Sequence, residues 1–551
     1  MGHSRREFLK TASAVAITLA SRQIAVPELV AGQTAPPGVL PGIDAYPRAG
    51  ESDLRELAAR ALDAARAAGA TYADVRFSVN RLEDIRFTSP TLYYHARDYE
   101  MAGVGVRCLV EGAWGFASST LWTPDEVARL AREAAAQARA NARSRRRKID
   151  IGPPPKPAVG EWRTPIVKDP FDVPLREKVE VAGAFIEHAN RYNIGARNAN
   201  VGAGMVTVWE RNETTFASTD GAFFSQTIYR ASPSFSVGVV TPKGRAGRSS
   251  DLLQPVSGGF EVVSEARLVD ELPRLVEESF LMVEAERITP DRYDVVVDAR
   301  LMAQLVARTI GTAAELDRVL GYEANAGGTS YLAPPEEMLG KFQLGPEFLN
   351  VRANRSRPGG LATVRWDDEG VEPEEYDVIK DGVLVDYHTT RELAGELSEW
   401  YGQSGRPVRS HGCASSESAL SVNMLHPPNV EMLPGKEPNS LDDLVSGLKK
   451  GLVLCGGAVT VDRQQLNGEI NAEMVYEVRD GKRVKFIHSA EALFRAPELW
   501  KSLKAIGGPG TEYWSGAMVY KGQPVQQCRF GAGAVPGYFE KVAVTDRMRK
   551  A

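Results

Sequence analysis

Apolar residues Leu54, Leu57, Ala58, Ala61, Leu62 and Ala65 recur at helical spacing between a capping residue, Ser52, and Gly69, so the pattern predicts a helix over 52–69. The period then changes to two. Val75, Phe77 and Val79 alternate with polar neighbours and predict a strand. Residues 103–110 and 113–117 read as a hairpin turning at Glu111-Gly112. Thr123-Pro124-Asp125-Glu126 combines a capping box with proline at the first helical position, and opens a helix ending near Arg143. A second block has a helix after Pro174, then strands over 206–209, 214–218 and 223–229 with a turn at Asp220-Gly221. A third begins with the strand Tyr293-Asp294-Val295-Val296-Val297 and a single helix over 301–320. After it the pattern is mostly strand: 362–366, then 376–379 against 383–387 across Asp381-Gly382, then 474–479 against 484–487 across Asp480-Gly481. The polar stretch 400–440 is expected to run over the surface.

Arg145-Arg146-Arg147-Lys148 followed by Gly152-Pro153-Pro154-Pro155 divides the first block from the second. At a helix end before a proline linker, the basic run reads as a solvated terminus whose cations suit the helix dipole. The organisation expected is α+β: a small α/β domain at 50–150, a central α/β domain at 165–285 and a β-rich domain at 292–546.

Composition changes the picture at the amino end. The chain is 43% apolar and 25% charged over 551 residues, enough for two or three cores. Its formal charge of −5 argues against nucleic acid as a partner. Ser4-Arg5-Arg6-Glu7-Phe8-Leu9-Lys10, however, sets paired arginines before a mild apolar run over 11–20. Such segments are addresses rather than structure. Residues 1–35 are expected to be a twin-arginine signal peptide that sends the folded chain to the periplasm or cell surface. The apolar run is too short, and too rich in Ala, Ser and Thr, to span a bilayer. Cys108, Cys413, Cys455 and Cys528 are widely spaced and form no CxxC pair, so buried thiols are expected rather than a disulfide scaffold.

Several chemistries are missing from the sequence. It holds no GxSxG elbow, no Walker loop and no glycine fingerprint in strand–turn–helix context. No two of its seven histidines are four or five residues apart, which excludes a helical HExxH zinc site or a near variant. The densest polar cluster in apolar surroundings is Glu315-Leu316-Asp317-Arg318, followed by Gly321-Tyr322-Glu323-Ala324-Asn325. Asp367-Asp368-Glu369-Gly370 forms a second. Two carboxylate groups of this kind suit an acid/base pair or a hard-cation site. An ion network centred on Arg318 beside a tight acidic turn is the commoner arrangement.

The block Glu315-Leu316-Asp317-Arg318-x-x-Gly321-Tyr322-Glu323-Ala324-Asn325-x-x-Gly328-Thr329-Ser330 resembles the signature of the TldD/PmbA peptidase family, on its TldD-type branch. The acidic turn at 367–370 also fits, as do the Lys380-Asp381-Gly382-Val383-Leu384 hairpin and Lys521-Gly522-Gln523-Pro524. Upstream, Gly103-Val104-Gly105-Val106-Arg107 and Gly112-Ala113-Trp114-Gly115-Phe116 fit the same pattern. The resemblance implies the multi-domain TldD/PmbA-like fold, a homodimer or a heterodimer with a related subunit around a proteolytic chamber, and zinc-dependent cleavage of unfolded or short peptides. In active members an HExxxH segment before the Glu-Leu-Asp-Arg block supplies two His ligands and a Glu base, and a carboxyl-terminal Cys completes the site. Zinc there polarises the scissile carbonyl and activates water.

The matching segment of this chain reads Ala307-Arg308-Thr309-Ile310-Gly311-Thr312. The two His positions fall on Ala307 and Thr312, the Glu on Arg308 and the Cys on Val519. Ala and Val cannot ligate zinc, Thr is a poor ligand, and Arg308 places a permanent positive charge where a cation would sit. No zinc or other cofactor is therefore expected in this chain. Glu315, Asp317, Arg318, Glu323, Asn325, Asp367 and Asp368 are expected to line the chamber. The reading that follows is a non-catalytic subunit of a dimeric peptidase. Two others stay open: a peptidase using a metal relocated to His388, His411, Cys413 and Cys455 or a pair such as Glu315 with Asp368, and a peptide-binding chamber without catalysis.

Overall fold

Helix α1 (Glu51–Ala67) forms where periodicity predicts it, with Ser52 inside the helix rather than capping it, and helix α2 (Pro124–Ala142) forms where both capping and periodicity predict it. They belong to a computed structural model that describes residues 51–89, 93–152, 156–193, 199–488 and 490–547; the expected signal peptide at 1–35 lies outside the described residues. Thr123 caps α2 by accepting from the Glu126 amide at 3.3 Å. Both helices turn alanine-rich faces to strands β1 (Tyr72–Thr88), β2 (Tyr93–Val110) and β3 (Ala113–Ser119). The approach is close: a Cβ on Gly115 would stand 2.0 Å from the Ala134 carbonyl oxygen.

The strands outrun the short alternating segments that announce them, and β1 alone spans 17 residues. Beyond it come β4 (Val159–Arg163), β5 (Asn200–Ser218), β6 (Phe223–Thr241) and β7 (Gly244–Ser249). The sheet order β3-β2-β1-β5-β6-β4, with β7 also on β6, carries one sheet through both the 50–150 and the 165–285 spans. Each span keeps its own apolar core. Helices α1 and α2 cover Val75 and Phe77, while α3 (Leu175–Asn190) and α4 (Leu268–Glu284) belong to the cluster of Ile85 and Phe87.

Those four odd-numbered side chains share one face of β1, as the strand period of two requires. Asp74, Arg76 and Ser78 lie on the opposite face and are buried as well. A polar segment from the carboxyl-terminal half covers them. The Ala419 amide donates to Ser78 Oγ at 2.8 Å, and Arg76 reaches the Ser421 carbonyl at 2.8 Å. Gly103-Val104-Gly105 is strand, and its glycines make room for this segment: a Cβ on Gly105 would meet the Ala419 carbonyl oxygen at 2.0 Å.

Two larger sheets and a two-stranded one, Ala414–Ser415 with Met424–Leu425, lie in the rest. An eight-stranded sheet includes, in spatial order, Lys450–Val461, Asp291–Val297, Gly537–Asp546, Ala490–Arg495, Asn467–Arg479 and Lys482–His488. A six-stranded one includes Val351–Asn354, Val430–Met432, Gln526–Ala534 and Tyr513–Lys521. Helix α5 (Ala299–Val306) packs against strands of both, with Leu301, Met302, Ala303, Leu305 and Val306 fully buried. Asp298 caps it through the Leu301 amide at 2.8 Å. The fold is mixed α+β with a β-rich carboxyl-terminal region.

Besides the strand expected over 383–387, which ends at Leu384, three sequence expectations do not hold. Residues 301–320 are not one helix. After α5, Ala307–Gly311 widens into a π turn, the Thr312 amide donating to the Ala307 carbonyl at 3.0 Å, and a short helix, Leu316–Val319, follows. Residues 362–366 are not a strand. The Ala362 amide bonds Asn429 Oδ1 at 2.9 Å and the Val364 amide bonds the Arg355 carbonyl at 3.1 Å, so a side chain and a loop replace a ladder. Residues 400–440 do not simply run over the surface: His411, Cys413, Ala419, Leu425, His426, Asn429 and Val430 are buried. His411 and Asn429 find hydrogen-bond partners inside the protein, which composition cannot distinguish from solvation.

Candidate functional site

The π turn is held from outside by two aromatic donors. The Tyr331 hydroxyl donates to the Thr309 carbonyl at 2.7 Å, and the Trp500 indole donates to Thr309 Oγ1 at 2.9 Å. Turns of this kind recur at functional sites because the widened backbone redirects side chains. Here it carries Ala307, Arg308 and Thr312. Ala307 is fully buried. The Thr312 hydroxyl is engaged with its own backbone, donating to the Arg308 carbonyl at 2.8 Å. Arg308 is half-buried, its Nε has no hydrogen-bond partner, and burial pulls its guanidinium below the ordinary value. Val519 lies in the strand Tyr513–Lys521, opposite Cys528.

These side chains do not fit the zinc that active relatives are expected to hold. Ala307 and Val519 have no donor atom. A divalent cation about 4 Å from the Arg308 guanidinium would meet about 8 kcal/mol of repulsion at an effective dielectric of about 20. That is a large fraction of the about 10–16 kcal/mol with which a full structural set binds zinc. Among the described residues, no group of three or more His, Cys, Asp or Glu side chains is arranged to hold a metal.

Next along the chain lies a buried ionic network. Lys521, with no exposed surface, donates to Glu315 Oε1 at 3.0 Å and to Asp317 Oδ2 at 2.7 Å. Arg318 closes it by pairing with Glu315 and donating to the Gly327 carbonyl. Burial alone would raise the Glu315 carboxyl, but Lys521 and Arg318 hold it below the usual carboxylate value. Asp317 keeps less compensation, and burial pushes it up to about 6. Glu323 extends the network by accepting the Gly522 amide at 2.9 Å and the Gly327 amide at 3.2 Å. Asn325 sits outside it, exposed, donating to Gln523 Oε1 at 3.2 Å.

Asp367 and Asp368 lie in other surroundings. Asp367 organises its turn, accepting from the Glu369 and Val371 amides at 2.9 Å each and from Ala414 at 3.0 Å. Asp368 binds Arg76 at 2.9 Å and Ser416 Oγ at 2.7 Å. Glu315 and Asp368 are thus each engaged by cations of their own.

Three of the four soft-ligand candidates converge, bridged by Tyr376. Its hydroxyl lies 2.6 Å from His388 Nδ1 and 3.8 Å from Cys413 Sγ, and its ring stacks on His411 at 3.7 Å. Burial lowers His388 to about 4 and raises Cys413 to about 11, so both stay neutral at physiological pH. Cys455 is not in this cluster, and all four cysteines are free. Sequence reasoning missed Tyr376 as the bridge and Lys521 as the centre of the ionic network. Lys521 opens the Lys-Gly-Gln-Pro stretch that the signature singles out, which was a usable signal; nothing marked Tyr376.

Comparison with known proteins agrees with the fold and the signature. Residues 290–525 match the model of the PmbA/TldA metallopeptidase C-terminal domain, and residues 73–138 match that of PmbA/TldA metallopeptidase domain 1. Together they span more than half of the chain. A metalloprotease of Methanothermobacter thermautotrophicus is 24% identical over 445 residues, covering 80% of this chain and 88% of the relative. The zinc metalloprotease TldD homolog of Saccharolobus solfataricus is 28% identical over 146 residues, covering 26% of this chain and 29% of that protein. In three dimensions, TldE from Thermococcus kodakarensis superposes with a TM-score of 0.61 at 15% identity, covering 90% of this chain and all of that one (100%).

Proposed function

The chain belongs to the TldD/PmbA metallopeptidase family, and from that premise we propose that it is a zinc-less, non-catalytic subunit of a dimeric peptidase acting outside the cytoplasm. It pairs with a related, metal-bearing subunit and helps to enclose unfolded or short peptides. One observation carries this reading. The π turn and the Glu315–Lys521 network form an ordered scaffold, while Ala307, Arg308, Thr312 and Val519 on that scaffold supply no metal donor set. A chain that had lost the fold along with the ligands would not preserve a buried four-charge network, which is costly to leave incomplete. The Arg5-Arg6 leader supports the exported location.

Elemental mass spectrometry of the purified full chain after mild dialysis tests the proposal. No stoichiometric zinc, iron or manganese is expected, and no peptide cleavage by the chain alone. Cleavage is expected once a relative carrying HExxxH is added. One tightly bound metal per chain, with cleavage in the absence of any relative, would overturn the proposal.

A further inference from the structure

The polar face of the first sheet does more than pack. Where β5 and β6 meet residues 415–419 and the strand Gln526–Ala534, they leave a cavity of about 60 Å³. Its wall carries Arg76, Arg230, Arg355 and Arg529 against two carboxylates, Asp368 and Glu417. Neither carboxylate neutralises the rest. Asp368 is already engaged by Arg76 at 2.9 Å, and Glu417 is exposed at the mouth. Arg529 pairs with Glu210 at 2.7 Å. Arg230 donates to the Leu361 carbonyl at 2.9 Å, and Arg355 to the carbonyls of Ala362, Gly412 and Ala414 at 3.1, 2.8 and 3.0 Å. Among the described residues, neither forms an ion pair. Guanidinium groups held inside a protein chiefly by carbonyl oxygens, with no carboxylate in ion-pair contact, are unfavourable unless an anion joins them. The crowding shows in Arg230, which burial pulls down to about 10.

His426 points to a ligand independently. It is 5% exposed, lines the cavity, and its Nε2 has no hydrogen-bond partner. Arg76 Nε, on the same wall, is also unpartnered. A buried polar atom without a partner calls for an explanation, and a bound ion or group is one of the few available. Size narrows the choice. A water needs about 10–15 Å³ of such space, so the cavity admits a group of about four to six such units rather than a length of peptide. We propose that this cavity is a binding site for a small oxyanion, a carboxylate or phosphate group, held by Arg230, Arg355 and Arg529 with His426 completing its hydrogen bonds. The planar fork of arginine suits either group. The oxyanion comes from free phosphate or from the terminal carboxylate of a peptide entering past Glu417.

Calorimetric titration of the full chain, alone and at constant ionic strength, tests the site. Three ligands are used: inorganic phosphate, a tripeptide with a free terminal carboxylate, and the same tripeptide as its amide. Saturable binding of phosphate or of the acid peptide is expected, weakened about tenfold or more in Arg230→Gln. Arg529→Gln, at the half-buried edge, serves as the second variant should the first fail to fold. Phosphate binding alone assigns free phosphate as the source. Binding of the acid peptide but not the amide assigns a peptide terminus. Absence of saturable binding by either, or binding unchanged in the folded variants, overturns the proposal. The assay reads binding without metal, partner or cleavage, so its outcome is independent of whether the chain assists a peptidase.

Discussion

Lys521 is one ammonium shared by two buried carboxylates, and its removal should be felt most where Asp317 is ionised. Lys521→Met keeps the length of the side chain and deletes the charge. Breaking a buried pair in this way costs about 3–5 kcal/mol, read at pH 7.5 as a lower denaturant midpoint. Asp317 stands at about 6 in the folded protein, above its ordinary 3.8. Protonation therefore favours the folded state, and that contribution is lost as pH rises through the folded value. Without Lys521 the folded value climbs further, so the deficit of the variant should shrink as pH falls from 7.5 toward 5. A deficit that does not change with pH would mean that Asp317 is not the group left uncompensated. The residues of this network were legible in part. Glu315, Asp317 and Arg318 announce themselves by charge inside an apolar block, but Lys521 stands 204 positions from Asp317, and nothing local links them.

At the scale of elements, the π turn is the departure that matters. A wider turn has no propensity signal of its own, so 301–320 reads as one continuous helix. What fixes the turn is tertiary: Tyr331 and Trp500 satisfy groups of Thr309 from other segments. Tyr331→Phe removes the donor from the Thr309 carbonyl and should cost about 1–3 kcal/mol. Amide exchange at 307–312 should quicken more than in α2. Equal acceleration in both would indicate general destabilisation rather than a loosened turn. Helix α2, with an explicit cap at Thr123, was readable from its boundary, and α1 from its apolar period. The strands were underestimated because β1 buries polar residues on one face, so alternation there does not mean in and out but apolar core and polar core.

Across the whole molecule, the α+β class and the order of elements were legible because each follows from local periodicity. How the amino-terminal sheet meets the carboxyl-terminal half was not, since charge and glycine carry that contact. Gly105, part of a segment that fits the family pattern, proves to be a clearance for Ala419. Arg76 meets Asp368, Ser416 and Ser421, the last of them 345 positions away. During synthesis at about 5–20 residues per second, β1 therefore waits about 20–70 s for the last of the groups that cover its polar face. The amino-terminal half leaves the ribosome with Asp74 paired to Arg107 in the same sheet but Arg76 without its carboxylate, and that face is covered only when Asp368 and the segment after residue 415 arrive. A chain stopped at residue 400 should accordingly be cut by protease within 72–119, whereas the full chain resists there. Resistance in the truncated chain would show that α1, α2 and their core suffice. For this protein, maturation is an event of the end of translation, and any helper that guards it has to hold the first half for most of that time.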